Sequence, residues 1–293
     1  MSKELGGVFA PITTPFVDET VAYDQLKSNI KKYSASALAG FFALGSNGES
    51  KCLTDTEKLK VLDVILEEKG PGQIVMAGTG KESTRQSIAF SKEVAVCGAD
   101  FVSVVTPSYF KKRLTDEVLI KYYLDIAEAV TIPVVAYNAP GFTGVTLSAK
   151  VVREISKHPN IAAMKDTSKG NMSNYLSVCD DSFNVLSGSA STLFNSMLLG
   201  ATGGVVSLAN AFPALCCDFY EKCRAGDHKE AKKLHFLIFR LNQAVSGSFG
   251  VAGVKYAMEV AGFYGGAPRL PLAPMTSEGK KSIDAAIAAA GLH

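Results

Sequence analysis

The sequence predicts an α/β protein of the (β/α)8 TIM barrel class with a C-terminal helical extension, and two observations predict it. Short apolar runs recur eight times at intervals of roughly 20–33 residues, with segments of helical period between them. The runs are apolar throughout rather than alternating, which is typical of strands buried on both faces of a parallel sheet. The segment Gly78-Thr79-Gly80-Lys81 matches neither the dinucleotide-binding nor the phosphate-loop fingerprint, so the barrel is favoured over a doubly wound sheet.

The predicted elements follow this pattern along the chain. The eight strands are predicted at Val8–Thr13, Phe41–Leu44, Ile74–Ala77, Phe101–Val105, Pro133–Tyr137, Ile161–Met164, Asn184–Leu186 and Gly204–Ser207. Thr54-Asp55-Thr56-Glu57 is a capping box that predicts the start of a helix, because its first and last residues satisfy each other's backbone N–H groups.

The strand pattern stops near Ala225, which divides the prediction into two parts. Residues 1–225 are predicted to form the barrel, and residues 226–293 are predicted to be helices packed on it as part of the same structural unit. Three helices are predicted in that second part, at Lys229–Val245, Val254–Ala261 and Ser277–Ala290.

Charge and hydropathy exclude several classes of partner. The 293-residue chain has a net charge of +2 and no block of like charges, so neither nucleic acid nor an anionic membrane is an expected partner. No apolar run approaches the ~20 residues that span a bilayer, and Met1–Gly7 contains no signal-peptide core. The six cysteines are scattered along the chain, which favours reduced thiols over disulfide bonds. We therefore predict a cytoplasmic protein.

The sixth apolar run ends on Lys165, the candidate for chemistry. Burial of a lysine lowers its pKa from about 10.4 to about 7–8, where the free amine can attack a carbonyl. The alternative is a solvated lysine that pairs with Asp166. The fifth run ends on Tyr137, and the period of two allows this phenol to meet Lys165 at one rim of the barrel, where it could relay protons. A packing role is the alternative for Tyr137 and for Tyr109.

The second run leads into a glycine-bounded turn, Gly45-Ser46-Asn47-Gly48-Glu49-Ser50, which precedes a helix start. Its backbone N–H groups and the Ser46 hydroxyl could bind a carboxylate, and an ordinary strand-to-helix turn is the alternative.

Other chemistries lack their patterns. His158, His228, His235 and His293 show no metal-ligand or catalytic-triad spacing, and no nucleophile elbow is present. The adjacent cysteines Cys216 and Cys217, with Cys223 nearby, lack zinc spacing and are predicted to be core residues.

Three motifs occur in the order and spacing of one protein family. They are Gly45-Ser46-Asn47-Gly48-Glu49, Tyr137-Asn138-Ala139-Pro140 and Met164-Lys165-Asp166. The chain resembles the pyruvate-dependent class I aldolases that include dihydrodipicolinate synthase and N-acetylneuraminate lyase, over nearly its whole length. The resemblance implies a (β/α)8 barrel, a homotetramer built as a dimer of dimers, and catalysis without a metal or organic cofactor.

The resemblance also implies a role for each matching residue. Lys165 would form a Schiff base with the keto carbon of a 2-oxo acid such as pyruvate, and Tyr137 would move protons to and from the substrate. Tyr109 would reach across the tight dimer contact and complete a relay with Tyr137 and Ser46. The implied substrate-binding residues are Ser46, Asn47, Thr167, Gly188 and Val206.

Departures from the family pattern bear on the substrate. Dihydrodipicolinate synthases usually carry an arginine two residues after the proline of the tyrosine motif, where this chain has Phe142. Sialic acid lyases typically carry an acidic pair where Ser189 and Ala190 follow Gly188. The remaining pattern, which includes Phe249-Gly250-Val251-Ala252-Gly253, resembles 4-hydroxy-2-oxoglutarate aldolases most.

The sequence therefore predicts a lyase that cleaves 4-hydroxy-2-oxoglutarate to pyruvate and glyoxylate through an imine on Lys165. Two enzymatic alternatives stay open: the dihydrodipicolinate synthase reaction of pyruvate with aspartate semialdehyde, and cleavage of a 2-keto-3-deoxy sugar acid. A non-catalytic sensor of 2-oxo acids is the alternative from another class, because a fold alone does not fix a function.

Overall fold

The computed structural model describes residues 5–168 and 170–292. Eight parallel strands are hydrogen-bonded into one closed barrel in the order β1-β10-β9-β8-β7-β6-β5-β4, and β2 and β3 form a separate antiparallel pair. The strands are β1 (Gly7–Pro11), β2 (Phe16–Val17), β3 (Thr20–Val21), β4 (Gly40–Ala43), β5 (Ile74–Gly78), β6 (Phe101–Val105), β7 (Val134–Asn138), β8 (Ile161–Asp166), β9 (Asn184–Ser187) and β10 (Gly203–Val205). The predicted (β/α)8 TIM barrel is confirmed.

Helices alternate with the strands and then continue alone to the C-terminus. They are α1 (Tyr23–Ser34), α2 (Asp55–Glu68), α3 (Thr84–Cys97), α4 (Asp116–Ala129), α5 (Pro140–Thr143), α6 (Ala149–Ile155), α7 (Met172–Leu176), α8 (Leu193–Leu198), α9 (Pro213–Arg224), α10 (His228–Asn242), α11 (Ser248–Val260) and α12 (Ser277–Ala289). Short 3-10 turns lie at Ser50–Cys52, Lys111–Arg113 and Ser207–Asn210. The last strand is shorter than predicted because Ser207 begins one of these turns instead of extending β10.

Contacts between Cα atoms divide the chain into two compact units. Unit 1 comprises residues 5–6 and 76–204, and unit 2 comprises residues 7–75 and 205–292. Every residue of β7 and β8 in unit 1 is buried, as the unbroken apolar runs predict. The Asn160 amide, just before β8, donates to the carbonyls of Ala127, Val130 and Ile132, which fixes the turn that delivers the chain into that strand.

Unit 2 contains the start of the barrel and the C-terminal helices. The predicted capping box is present, since the Glu57 N–H donates to Thr54 Oγ1 and the Thr54 N–H donates to the Glu57 carboxylate. The buried Asn210 side chain donates to the carbonyl of Pro11, and Asn210 in turn accepts from the Tyr33 hydroxyl at its own carbonyl. These bonds join α1, β1 and the turn after β10 within the same unit.

The C-terminal helices differ from the prediction in their boundaries. Helix α10 ends at Asn242, where a π turn over Gln243–Gly247 begins, and α11 follows at once from Ser248. The first helix is therefore shorter than the predicted Lys229–Val245, and the second begins earlier than the predicted Val254–Ala261. Gly250 inside α11 has a φ of 56° and a non-helical conformation, so the local break is absorbed within the helix by a glycine. Within the described residues, no helix is long and apolar enough to cross a membrane.

Candidate active site

Lys165 and Tyr137 lie side by side at the carboxyl ends of two neighbouring strands. Strand β7 pairs with β8 in a register that makes Tyr137 the Cα partner of Lys165. The Lys165 Nζ lies 4.1 Å from the centroid of the Tyr137 ring. Both side chains are buried, with 4% of Lys165 and 5% of Tyr137 exposed. The predicted meeting of this amine with this phenol is therefore present, and the hydrogen-bonded ladder fixes it.

Burial gives Lys165 an amine that loses its proton near neutral pH. Removal of water from around the ammonium lowers the pKa of Lys165 to about 7. A large fraction of the side chain is then the free amine at physiological pH, which is the form that attacks a carbonyl carbon. When Lys165 is protonated, its ammonium lies over the ring of Tyr137 and is attracted to the π electrons. The ring is therefore next to Lys165 whether the amine is charged or neutral.

A buried polar network fixes the strand ends beside this pair. Asn138 Nδ2 donates to Asp166 Oδ1 (2.7 Å) and contacts the Tyr175 hydroxyl (3.0 Å). The Tyr175 hydroxyl donates to the carbonyl of Leu147, whose N–H donates to Asn138 Oδ1. Burial raises the pKa of Asp166 and raises that of Tyr175 to about 12. This network holds β7 and β8 at the residues that follow Tyr137 and Lys165.

The Asp166 carboxylate accepts hydrogen bonds within this network. It also accepts hydrogen bonds from the N–H and the hydroxyl of Ser168. Because side chains alternate along a strand, Asp166 points to the opposite side of β8 from Lys165. The network and Tyr175 were not predicted from the sequence, because α7 is too short to show a periodic signal.

Thr167 and Gly188 lie together just beyond the Lys165 strand. The Gly188 N–H donates to the Asp166 carbonyl (2.6 Å), and both the N–H and the hydroxyl of Thr167 donate to the Asn138 carbonyl. A Cβ at position 188 would lie 2.2 Å from Thr167 Cγ2, so only glycine permits this close approach.

In unit 2, the turn after β4 has an ordered conformation at Gly45–Glu49. Asn47 Nδ2 donates to Ser207 Oγ (2.7 Å), and Thr14 Oγ1 donates to the Gly48 carbonyl (2.7 Å). The Glu49 N–H donates to the Ser46 carbonyl. None of the hydrogen bonds found among the described residues uses the N–H groups of Ser46, Asn47 or Gly48 as donors. Neighbouring backbone N–H groups that make no hydrogen bond within the protein are the kind of donors that bind anions in other turns.

Three further residues from the sequence analysis have contrasting surroundings. Val206 follows β10 and is fully buried, with its N–H bonded to the Phe9 carbonyl. Tyr109 is 80% exposed, and Glu82 holds its loop by accepting hydrogen bonds from the N–H groups of Ser108 and Tyr109. Phe142, in the turn after β7, is 73% exposed. The expected relay through Tyr109 stays a prediction.

The structure contains no metal-ligand cluster in the described part of the chain, which ends one residue before His293. Cys216 and Cys217 are buried in α9, and burial raises the pKa of Cys217 to about 11. These two residues are core residues, as predicted.

Comparisons with known proteins place this geometry in context. Residues 4–290 match the profile of the dihydrodipicolinate synthetase family. The chain is 35% identical over 278 residues to 4-hydroxy-tetrahydrodipicolinate synthase of Geobacter sulfurreducens, covering 94% of this chain and 95% of that protein. It is 35% identical over 272 residues to the protein of the same name from Methanospirillum hungatei, covering 91% and 92%.

Solved structures show the same similarity. The crystal structure of chloride-inhibited dihydrodipicolinate synthase from Acinetobacter baumannii, complexed with pyruvate, has a TM-score of 0.93 at 30% identity, covering 98% of this chain and 99% of that one. Dihydrodipicolinate synthase from Thermotoga maritima has a TM-score of 0.94 at 25% identity, with the same two coverages.

The lowered pKa predicts how the reactivity of Lys165 depends on pH. Modification of Lys165 by formaldehyde and cyanoborohydride should increase as the pH rises through about 7 and then level off, because the free amine is the reacting form. Peptide mass mapping measures the extent at each pH. The control is the urea-unfolded chain, in which the same lysine should titrate near about 10.4. Equal profiles for the folded and unfolded chains would contradict the expectation.

Proposed function

Because this chain belongs to the dihydrodipicolinate synthetase family, we propose that it cleaves a 4-hydroxy-2-oxo acid through an imine on Lys165. Family membership makes it a carbon–carbon lyase of the pyruvate-dependent class I aldolase type. The substrate that we propose is 4-hydroxy-2-oxoglutarate, and the products are pyruvate and glyoxylate.

The observation that supports this mechanism is the buried Lys165 amine beside Tyr137. The neutral amine attacks the keto carbon of the substrate, and the hydroxyl of the resulting carbinolamine takes a proton from Tyr137 and leaves as water. A protonated imine and the Tyr137 phenolate remain. The bond between C3 and C4 then breaks, its electron pair moves into the imine, and the 4-hydroxyl proton passes to Tyr137. Glyoxylate leaves, and the enamine takes a proton at C3 from Tyr137. Hydrolysis of the protonated imine then releases pyruvate, restores the neutral amine and returns a proton to Tyr137.

We assign the substrate carboxylate next to the keto group to the turn after β4. The N–H groups of Ser46 and Asn47 make no hydrogen bond to the described residues, and the Ser46 hydroxyl adds a further donor. Neutral donors of this kind stabilise a carboxylate without the need for a cation. Thr167, Gly188 and Val206 are proposed to bind the rest of the 2-oxo acid.

Phe142 supports the choice of the second product. An arginine near this position grips a carboxylate of the second substrate in the family's synthases, and phenylalanine offers no charge or hydrogen bond for that purpose. Loss of such a charge pair typically costs several kcal/mol, which disfavours the aspartate semialdehyde reaction.

One observation favours a second candidate function. The relatives from Geobacter sulfurreducens and Methanospirillum hungatei bear the name 4-hydroxy-tetrahydrodipicolinate synthase and cover nearly the whole chain. The second candidate is therefore the condensation of pyruvate with aspartate semialdehyde. Both candidates share the Lys165 imine and differ in the aldehyde and in the direction of the reaction.

We also propose that the chain acts in the cytoplasm as a homotetramer, a dimer of dimers. The exposed Tyr109 supports this assembly, because a dimer contact would cover it and deliver its hydroxyl to the partner's relay. Light scattering that gave a monomer would contradict both the assembly and the relay.

Borohydride reduction in the presence of pyruvate tests the imine directly. The expected result is a reduced pyruvyl adduct on Lys165, because hydride fixes the imine as a stable amine. Intact mass and peptide mapping measure the adduct. The matched control is Lys165→Ala, which should give no adduct and no turnover and should keep its circular dichroism spectrum. A folded native chain that stays unmodified would contradict the imine mechanism.

A substrate panel separates the two candidate functions. We expect pyruvate release from 4-hydroxy-2-oxoglutarate, followed with lactate dehydrogenase, and little consumption of aspartate semialdehyde, because Phe142 lacks the guanidinium. A 2-keto-3-deoxy sugar acid completes the panel. A higher kcat/KM for aspartate semialdehyde than for 4-hydroxy-2-oxoglutarate cleavage would favour the synthase.

Tyr137→Phe tests the proton relay on the substrate that the panel identifies. The variant keeps the ring beside Lys165 but loses the hydroxyl, so kcat should fall by roughly 10²–10⁴-fold while the adduct at saturating pyruvate remains. The matched control is Tyr33→Phe in α1, which removes another buried hydroxyl, one that donates to the Asn210 carbonyl. An unchanged kcat in Tyr137→Phe would remove this residue from the mechanism.

A further inference from the structure

Unit 2 contains a second buried lysine that the proposed chemistry does not use. Lys255 lies on α11 and is 0% exposed. Its Nζ lies 2.6 Å from Glu49 Oε1, and the Glu49 side chain is also 0% exposed. The same Nζ donates to the Ala267 carbonyl (3.1 Å) and lies 4.5 Å from the centroid of the Phe16 ring. The lysine is thus surrounded by partners within its own unit.

The Lys255–Glu49 contact is a charge pair by distance, and it is not well aligned as a hydrogen bond. Burial lowers the pKa of Lys255 in spite of the opposing effect of Glu49. A buried pair of this kind usually contributes little net stability, because the cost of removing two charges from water offsets their attraction. The fixed geometry that the pair imposes is therefore of more interest than its stabilisation of the fold.

Glu49 is the last residue of the turn that carries Ser46 and Asn47. Its backbone is left-handed with a φ of 52°, a conformation that a glutamate adopts only when its surroundings enforce it. The Glu49 N–H donates to the Ser46 carbonyl (3.1 Å), so the position of Glu49 determines where the turn closes. The ion pair of its side chain with the buried Lys255 holds Glu49 from the interior of unit 2.

Arg269 anchors the same residue from the C-terminal segment. Its backbone N–H donates to Glu49 Oε2 (2.8 Å). Its guanidinium donates to the Cys52 carbonyl (2.8 Å) and to both oxygens of Glu57 (2.7 and 3.0 Å). The guanidinium pairing lowers the pKa of Glu57 to about 2, so this anchor persists over the physiological pH range. The Lys255 ammonium from α11 and the Arg269 N–H from the segment after it therefore both bind the Glu49 side chain, while the Arg269 guanidinium fixes the residues that follow the turn.

We propose that Glu49, Lys255 and Arg269 are positioning residues that hold the Ser46–Asn47 turn in its carboxylate-binding conformation. This inference rests on the proposed function, in which that turn binds the carboxylate of a 2-oxo acid. The three residues do not touch the substrate. They keep the backbone of residues 46–48 in one conformation, which lowers the entropy that binding must otherwise remove.

Removal of both charges of the buried pair tests the proposal. The variant Glu49→Gln/Lys255→Met replaces the two charged groups with neutral groups of similar size, a change that buried pairs often tolerate in stability. The matched control is Lys121→Met/Asp125→Asn, which removes the exposed pair on α4 (2.8 Å). Pyruvate affinity is measured by calorimetry, the Lys165 adduct by borohydride trapping, and the unfolding midpoint by urea.

The double variant is expected to bind pyruvate more weakly but to form the same imine on Lys165. The apparent Kd for pyruvate should rise by about 10- to 100-fold in the double variant, because a small displacement of binding groups has an effect of this order. The adduct on Lys165 at saturating pyruvate should match that of the native chain, and the control should bind pyruvate normally. A folded double variant with the native Kd would overturn the proposal, since a purely structural brace would change only the unfolding midpoint.

Arg269→Lys is the milder second variant, for the case in which the double variant does not fold. It keeps a cation and the backbone N–H but loses the guanidinium bonds, so a smaller rise in Kd is expected and an unchanged Kd would overturn the proposal.

The native chain separates this inference from the proposed function. Pyruvate binding without an adduct would overturn the imine, while the affinities of the variants would still decide the role of the positioning residues. No pyruvate binding at all would overturn both.

Discussion

The chemistry that we propose for this chain depends on the removal of water from around one ammonium group. Lys165 ends an apolar strand and is almost fully buried, and burial brings its pKa to about 7. The Asp166 carboxylate is the nearest charge in sequence, but Asn138 and Ser168 bind it on the other side of the strand. The polar network beside the site therefore gives this carboxylate hydrogen-bond partners other than the amine.

Lys255 shows what the same residue type becomes with a different neighbour. Both lysines are buried and burial lowers the pKa of both. Glu49 lies 2.6 Å from Lys255 and favours its charged form, whereas burial is the only cause of the shift at Lys165. We infer that one lysine serves as a nucleophile and the other as a fixed charge. The surroundings of each amine, rather than its burial, determine this difference.

The sequence predicted the parts of the molecule that depend on local pattern. Unbroken apolar runs predicted the strands, and strand period with chain order predicted that Tyr137 and Lys165 would meet. The contacts of Lys255 with Glu49 and of Tyr175 with Asn138 join residues that are distant in sequence and carry no periodic signal. The end of α10 was also missed, because the π turn after it continues the helical spacing. The predicted boundary at residue 225 remains a prediction.

The register between β7 and β8 has a consequence for how such proteins diversify. The distance between the amine and the phenol is set by the backbone ladder of two buried strands, which tolerates little change. Phe142 lies outside that ladder, in an exposed turn that follows β7, and surface turns accept substitution readily. In the function that we propose, mutation at this turn would exchange the aldehyde that the protein accepts, while the Lys165–Tyr137 pair would be inherited intact. Proteins descended from one such barrel can then catalyse the same type of reaction with different aldehydes.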